Sequence, residues 1–246
     1  MADNSSKIIL DLCGGSGAWS RPYREAGYDV RVITLPRFDV TNVYMGPSPM
    51  PGFEGTQIII FRGADPEIGD IGFRTDQVYG ILAAPPCTEF SQAKNVWSGK
   101  QAGKRDIAGG MSIVDACLHI IRHCQLYGDL RWWALENPVA ASSPEPLAKY
   151  LGRPACKFEQ WQFGGAECKA TYLWGWFKDP KPTVRERPAG IGGQMGGRTG
   201  DGSWAKPTVP DWALDYVNQF KGDERRAAIR AIYPEGFCKA FFRANT

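Results

Sequence analysis

Two short segments of the chain combine residue types that can attack and bind a heteroaromatic ring. The first, "ILAAPPCTEFS" (81–91), places Cys87 after two prolines at the end of an apolar run. The second, "WALENP" (133–138), places Glu136 at the end of another apolar run. A thiolate is a nucleophile, and a carboxyl group can hold a base edge and share a proton with a ring nitrogen. The alternatives are a small core cysteine and a glutamate that caps a helix or forms an ion pair.

A third segment that could do chemistry is "DLCGGSG" (11–17), in which the glycine turn 14–17 follows the apolar run 7–13. Glycines let the backbone approach a bound nucleotide or nucleoside closely. Ligands of open α/β sheets bind at the carboxyl ends of the strands. We therefore expect the glycine turn, Cys87 and Glu136 to meet at one edge of a sheet.

Apolar runs alternate with helical patterns along most of the chain. Strands are predicted at 7–13, 28–34, 56–63, 77–86, 130–138, 156–163 and 171–177. Helices are predicted at 18–27, 111–127, 224–233 and 235–245. This alternation predicts a parallel, doubly wound α/β sheet. Residues 46–57 are predicted to form a loop within an insertion that covers 46–76.

The surroundings of Cys87 are predicted to favour a nucleophile. Two prolines stop the strand and fix the approach to the cysteine. The polar segment that follows carries four basic residues and one acid; the basic residues are Lys94, Lys100, Lys104 and Arg105. We therefore expect an exposed thiol on a loop with a lowered pKa, beside a surface that can meet phosphate.

Composition limits the other possibilities. The 246 residues are 43% hydrophobic, which suits one core with a small appended lobe. No apolar run reaches the roughly 18 residues of a membrane span, and no signal peptide is visible, so we expect a soluble cytoplasmic protein. The net charge of +3 neither requires nor excludes nucleic acid.

The cysteines and histidines do not predict a metal site. Seven scattered cysteines without a C-x-x-C pair indicate reduced thiols rather than disulfides or a zinc ribbon. His119 and His123 are one helical turn apart, a spacing that can bind metal. They lie off the apolar stripe that carries Cys117 and Cys124, so we expect no metal there.

The motifs "DLCGGSG", "PPCTEFS" and "ENP", in this order, resemble those of the C5-cytosine DNA methyltransferases, most closely the short forms found in phages and prophages. The resemblance extends to "KATYLWGWF" (169–177) and "PEGFCKAFFRAN" (234–245). It implies a class I methyltransferase fold and the methyl donor S-adenosylmethionine (SAM), with S-adenosylhomocysteine as product. It also implies a SAM-binding catalytic domain at 1–177, a small Gly/Pro-rich target-recognition lobe at 178–233 and a terminal helix at 234–246.

The resemblance assigns roles to individual residues. Cys87 would be the nucleophile that adds to C6 of a flipped cytosine, Glu136 would bind the base, and Lys169 would stand where the family usually has arginine. The cofactor-binding residues would be Asp11, Cys13, Gly14, Gly15, Gly17, Trp19, Asp39, Pro85, Phe237 and Cys238. The DNA-binding residues would be Ser91, Lys94, Trp97, Lys100, Lys104, Arg105, Arg185, Arg187, Gln194 and Arg198. The expected partner is double-stranded DNA, bound by a monomer.

Two departures from the family pattern keep alternatives open. The second strand ends at Thr34 and Leu35, where the family has an acid for the ribose. The terminal motif carries Cys238 and Lys239, which leaves open a modified SAM with a larger or acidic group. The acceptor could also be RNA or a nucleotide. A non-catalytic DNA-binding relative is disfavoured because Cys87 and Glu136 are both present.

Overall fold

The computed structural model describes residues 3–90, 106–138, 146–165, 169–189 and 209–246. Within these ranges the strands are β1 (Ile8–Leu12), β2 (Asp29–Ile33), β3 (Phe38–Pro47), β4 (Gln57–Gly63), β5 (Ile71–Arg74), β6 (Val78–Ala83), β7 (Trp132–Pro138), β8 (Cys156–Glu159) and β9 (Ala170–Trp176). The α-helices are α1 (Arg21–Glu25), α2 (Ile107–Tyr127), α3 (Pro146–Leu151), α4 (Leu214–Asn218), α5 (Gly222–Arg230) and α6 (Glu235–Ala244).

The central sheet has six strands in the order β2-β1-β6-β7-β9-β8. The first four strands are parallel, as predicted. Strand β9 runs antiparallel to both β7 and β8, so the prediction of a parallel sheet is wrong at this strand. Antiparallel neighbours need no helical crossover, and the chain between β8 and β9 is correspondingly short. The result is a mixed α/β fold with a mostly parallel, Rossmann-like sheet.

A second, three-stranded antiparallel sheet in the order β3-β4-β5 is inserted between β2 and β6. Its apolar side chains Phe61 and Phe73 are buried in one core cluster with Val114 and Cys117 of α2. The sequence predicted only β4 in this region. The register of β3 shifts between Phe38 and Val43, which breaks the alternation that marks a strand. The predicted loop begins only after Pro47.

Helix α2 covers the mostly parallel sheet with one apolar face. Its side chains Val114, Ile121 and Cys124 are buried, in agreement with the predicted stripe. His119 is exposed, and His123 Nε2 lies 3.1 Å from Thr75 Oγ1. No group of three possible metal ligands occurs in the part of the chain that the structure describes. None of the helices in that part has the length and apolar character needed to cross a bilayer.

Candidate active site

The glycine turn and the loop that carries Cys87 leave the sheet side by side. Chain order along the central sheet reverses at β1, which lies between β2 and β6. Leu12 and Ala83 are paired at the ends of β1 and β6, and the Ala84 N–H donates to Leu12 O at 2.9 Å. A crevice outside the carboxyl ends of the strands at such a reversal is the usual ligand site of open α/β sheets.

Cys87 lies on an irregular segment four residues beyond the end of β6 and is half-buried. Its approach is fixed from the neighbouring strand, since Asn137 Nδ2 donates to Pro85 O at 3.0 Å. Both partners of this bond are buried, so water does not compete for it. The bond joins the loop of Cys87 to the residue directly after Glu136.

Glu136 is a buried carboxyl group at the end of β7, with 4% of its surface exposed. Its Oε2 accepts a 2.7 Å hydrogen bond from the Tyr233 hydroxyl. Its Oε1 is buried and has no hydrogen-bond partner among the described residues. Buried polar atoms are nearly always paired in native proteins, so Oε1 can accept a hydrogen bond from a donor outside the described residues.

Lys169 reaches the same edge because β9 is reversed. Thr171 of β9 pairs with Pro138, the last residue of β7, so the chain before Ala170 extends past the carboxyl end of β7. The positive charge of Lys169 lowers the pKa of both Cys87 and Glu136. The three predicted catalytic residues therefore lie within electrostatic range of one another.

The prediction of a lowered pKa for Cys87 is wrong. Burial raises the pKa of the Cys87 thiol, Lys169 opposes this effect, and the nearby Glu136 carboxylate adds to it. Burial disfavours the charged form, and here it outweighs one lysine. The thiol is therefore mostly protonated at neutral pH, and its thiolate fraction grows as pH rises. The basic residues of 94–105 lie outside the described residues.

The glycine turn after β1 is a tightly bent loop over a buried carboxylate. Gly15 and Gly17 have φ values of +56° and +71°, which favour glycine. The Gly15 N–H donates to Thr34 Oγ1 at 3.3 Å, so Thr34 at the end of β2 braces the turn. A Cβ on Gly14 would overlap the carboxyl group of Asp11.

Asp11 is fully buried beneath this turn. Its Oδ2 accepts a 2.5 Å hydrogen bond from Ser20 Oγ, and its Oδ1 has no partner among the described residues. Burial raises the pKa of Asp11 to about 6, against the opposing effects of Ser20 and Arg24. An ionised carboxylate at this place is costly unless a positive group lies close by.

Three of the predicted cofactor residues lie in the protein core. Trp19 and Phe237 are 1% and 0% exposed, and their ring centroids are 5.6 Å apart. Cys238 is 2% exposed and close enough to Asp11 for that carboxylate to raise its pKa, after the larger effect of burial. They were predicted to touch the cofactor, but the apolar face of α6 buries them, so they support the site from beneath.

The remaining cofactor predictions have different outcomes. Pro85 is buried on the segment that leads to Cys87, and Cys13 is half-buried at the start of the glycine turn with φ +56°. Asp39 is exposed, and its Oδ1 accepts bonds of 2.8 Å from the backbone N–H and the hydroxyl of Thr41. Its described contacts are thus within its own strand. Leu35, the other candidate at the end of β2, is 62% exposed.

Two predicted DNA-binding residues, Arg185 and Arg187, are described and exposed. The segment before them is held against other parts of the described chain, because Lys178 N–H donates to Asn245 Oδ1 at 2.8 Å and Val184 N–H donates to Gln162 O at 3.0 Å. The other predicted DNA-binding residues lie outside the described residues: Ser91, Lys94, Trp97, Lys100, Lys104, Arg105, Gln194 and Arg198.

Residues of the predicted lobe at 178–233 also pack against the domain that contains the central sheet. Tyr216 of α4 faces the glycine turn, with its hydroxyl 3.1 Å from the position of a Cβ on Gly15. Tyr233 belongs to the core cluster that contains Trp19 and Phe237. The sequence analysis missed both tyrosines, because nothing in the local pattern distinguishes them from other core aromatic residues.

Comparison of the chain with models of known protein families and with curated proteins finds no match.

Replacing Gly14 by alanine tests the glycine turn. The added methyl group must displace the buried Asp11 carboxyl, and overpacking of this kind costs about 1–3 kcal/mol. We expect Gly14→Ala to lower the free energy of unfolding by this amount and to weaken SAM binding, measured by denaturant titration and calorimetry. Gly72→Ala in β5 is the matched control, since its Cβ would lie at an ordinary 3.5 Å from Ile60. Equal SAM affinities in the two variants would contradict a cofactor role for the turn.

Proposed function

We propose that the protein is a SAM-dependent DNA methyltransferase that modifies carbon 5 of cytosine. The observation that carries the proposal is the meeting of Cys87, Glu136 and Lys169 at one edge of the sheet, beside the glycine turn. The motif order resembles the C5-cytosine DNA methyltransferases, and a mostly parallel, Rossmann-like sheet is compatible with the class I fold of that family.

Cys87 would open the reaction by forming a bond between Sγ and C6 of cytosine. Carbon 5 is a poor nucleophile in the intact ring, and addition at C6 turns the ring into an enamine that is nucleophilic at C5. Glu136 would hold N3 and the exocyclic amine and stabilise the proton that N3 gains as the thiolate adds. Once C5 carries the methyl group from the donor, loss of the C5 proton to a base and cleavage of the S–C6 bond would restore the aromatic ring and the free thiol.

The electrostatics of the crevice suit this division of roles. Burial raises the pKa of Glu136, while Lys169 and the hydrogen bond from Tyr233 oppose the rise. A raised pKa makes the carboxyl group a better partner for sharing a proton with N3. Lys169 offsets part of the effect of burial, which disfavours a thiolate at Cys87. The target base must leave the helix to reach this buried pair, at a cost of a few kcal/mol.

The residues around the glycine turn fit a cationic cofactor. The backbone of Gly14 and Gly15 and the side chain of Thr34 would hold it at the end of β1. Asp11 offers a buried oxygen without a partner among the described residues, and a positive charge nearby would offset the cost of ionising it. SAM, when bound, supplies a sulfonium ion with an electrophilic methyl group, the chemistry that a nucleophilic C5 requires.

A donor with an acidic transferable group receives less support from the terminal helix. Lys239, the lysine that raised this alternative, is exposed and its Nζ lies 2.5 Å from Glu235 Oε1. Its charge is thus paired with Glu235 on the outside of α6. Its neighbour Cys238 is the residue that lies near Asp11.

One assay separates the acceptors and donors. The enzyme is incubated with isotopically labelled SAM in parallel reactions. Each reaction contains one acceptor: duplex DNA, single-stranded DNA, RNA or free cytidine nucleotides. Each acceptor is then digested to nucleosides and analysed by mass spectrometry. We expect labelled 5-methyl-2′-deoxycytidine from duplex DNA. A label on the exocyclic nitrogen, or a label confined to RNA or free nucleotides, would contradict the proposal.

The methylated context is expected to be short. The predicted lobe is small, and its candidate base-reading side chains, Gln194 and Arg198, can make only one or two bidentate contacts. That number specifies roughly two base pairs in addition to the target cytosine. Bisulfite sequencing of treated DNA would show the context directly. A site of five or more specified bases would refute this prediction, and uniform methylation of every cytosine would show that the lobe reads no sequence.

A further inference from the structure

A tyrosine outside the predicted motifs holds the candidate base-binding carboxylate. The Tyr233 hydroxyl donates a 2.7 Å hydrogen bond to Glu136 Oε2 across a separation of 97 residues. Tyr233 is 9% exposed and Glu136 is 4% exposed, so water competes little for this bond. Hydrogen bonds from a hydroxyl to a carboxylate at such distances are among the stronger ones in proteins.

The ring of Tyr233 is fixed by its neighbours. Its centroid lies 5.2 Å from that of Trp19 and 5.6 Å from that of Phe237, both of which are buried. Trp19 follows the glycine turn two residues beyond Gly17. The hydroxyl is therefore held by packing between the terminal helix and the element that would carry the cofactor.

This arrangement leaves Glu136 with one bonded and one open oxygen. Oε2 is bonded to Tyr233, and Oε1 has no partner among the described residues. We propose that Tyr233 is a positioning residue whose hydroxyl fixes the Glu136 carboxyl group so that Oε1 is presented to the target base. The identity of the ligand rests on the proposed function, whereas the positioning of Glu136 by Tyr233 rests on the structure alone.

The electrostatic surroundings keep Tyr233 a donor. Burial raises the pKa of Tyr233 well above its ordinary value, and the negative charges of Glu136 and Asp11 and the Cys238 thiol raise it further. The phenol therefore remains protonated at any working pH. On the other side of the bond, burial raises the pKa of Glu136, and Lys169 and the Tyr233 hydrogen bond oppose the rise.

The test variant is Tyr233→Phe, which keeps the ring contacts and removes only the hydroxyl. Loss of a hydrogen bond to a charged group is expected to lower kcat by about 10- to 100-fold. We expect SAM affinity and the near-ultraviolet circular dichroism spectrum to remain those of the wild type. One limb of the pH profile of kcat/KM should reflect the titration of Glu136 and should disappear in Glu136→Gln. The hydrogen bond from Tyr233 lowers the pKa of Glu136, so this limb should move to higher pH in Tyr233→Phe.

A matched control is available in the same core. Tyr23 is also buried, and its hydroxyl donates to Asn245 O at 3.3 Å rather than to Glu136. Tyr23→Phe is expected to leave kcat and the pH profile unchanged. In the Glu136→Gln background the removal of the Tyr233 hydroxyl should have a much smaller effect, as residues that act through one another are not additive.

A measurement independent of activity separates this inference from the proposed function. The side-chain carboxyl of Glu136, labelled with ¹³C and assigned by its loss in Glu136→Gln, is titrated by NMR in the wild type and in Tyr233→Phe. A higher pKa of Glu136 in Tyr233→Phe supports the positioning role of Tyr233. An unchanged pKa of Glu136 would overturn this role. A kcat of Tyr233→Phe equal to that of an active wild type would overturn it as well. A wild type that transfers no methyl group would refute the proposed function, and the titration would still decide the inference.

Discussion

Cys87→Ser is expected to abolish methyl transfer while leaving the fold and SAM binding intact. An alcohol is a far weaker nucleophile than a thiol near neutral pH, so addition to C6 should no longer occur. Cys87 is half-buried on a loop, and serine differs from it by one atom, so the packing is preserved. The measurement is incorporation of labelled methyl groups into duplex DNA, accompanied by calorimetry with SAM.

The control for this prediction is a second half-buried free cysteine, Cys156 in β8. Cys156→Ser makes the same sulfur-to-oxygen change in β8, an edge strand of the sheet, and should retain wild-type transfer. Methylation by Cys87→Ser at the wild-type rate would remove Cys87 from the mechanism. Loss of activity in both variants would indicate a general effect of the substitution on the fold.

Glu136→Gln is expected to be the second most damaging substitution. The amide cannot carry the proton that N3 gains, and loss of a positioned acid or base typically costs 10²- to 10⁴-fold, so we expect a fall in kcat of about this size. SAM affinity should change little, because the residues proposed to hold the cofactor surround the glycine turn after β1. Steady-state kinetics with duplex DNA and a separate SAM titration measure the two effects.

Glu159→Gln supplies the corresponding control. Glu159 also ends a strand of the same sheet, and its carboxylate accepts a hydrogen bond from Trp161. An amide oxygen can still accept that bond, so transfer should be unaffected. An equal loss of SAM affinity in folded Glu136→Gln would place Glu136 in the cofactor site and refute its role as base-binding residue.

The strands that carry the site could be predicted because their sequences are simple. Each of β1, β6 and β7 is an apolar run that ends at glycine or proline, and such runs indicate buried parallel strands. The rule that ligands bind at the carboxyl ends of strands then brought Cys87 and Glu136 together. Strand β3 was missed because its register shift interrupts the alternation of buried and exposed residues.

The electrostatics and long-range contacts of the site could not be predicted. Basic residues near Cys87 suggested a lowered pKa, but the sequence does not reveal how deeply a thiol is buried, and burial decides the sign here. Tyr233 contacts Glu136 across 97 residues, and no local pattern encodes such a pair. Likewise, Phe237 lies in a motif that resembles a cofactor-binding one, but its position on the apolar face of α6 buries it.

The most direct test of the central claim is covalent trapping on duplex DNA that contains 5-fluorocytosine at a methylated position. Fluorine at C5 leaves no proton to remove, so the enzyme cannot be released after methyl transfer. In the presence of SAM we expect a denaturation-resistant adduct of the wild-type protein, with the modified base attached to Cys87 in the peptide identified by mass spectrometry. Attachment at another residue, or an adduct that persists in Cys87→Ala, would contradict the account.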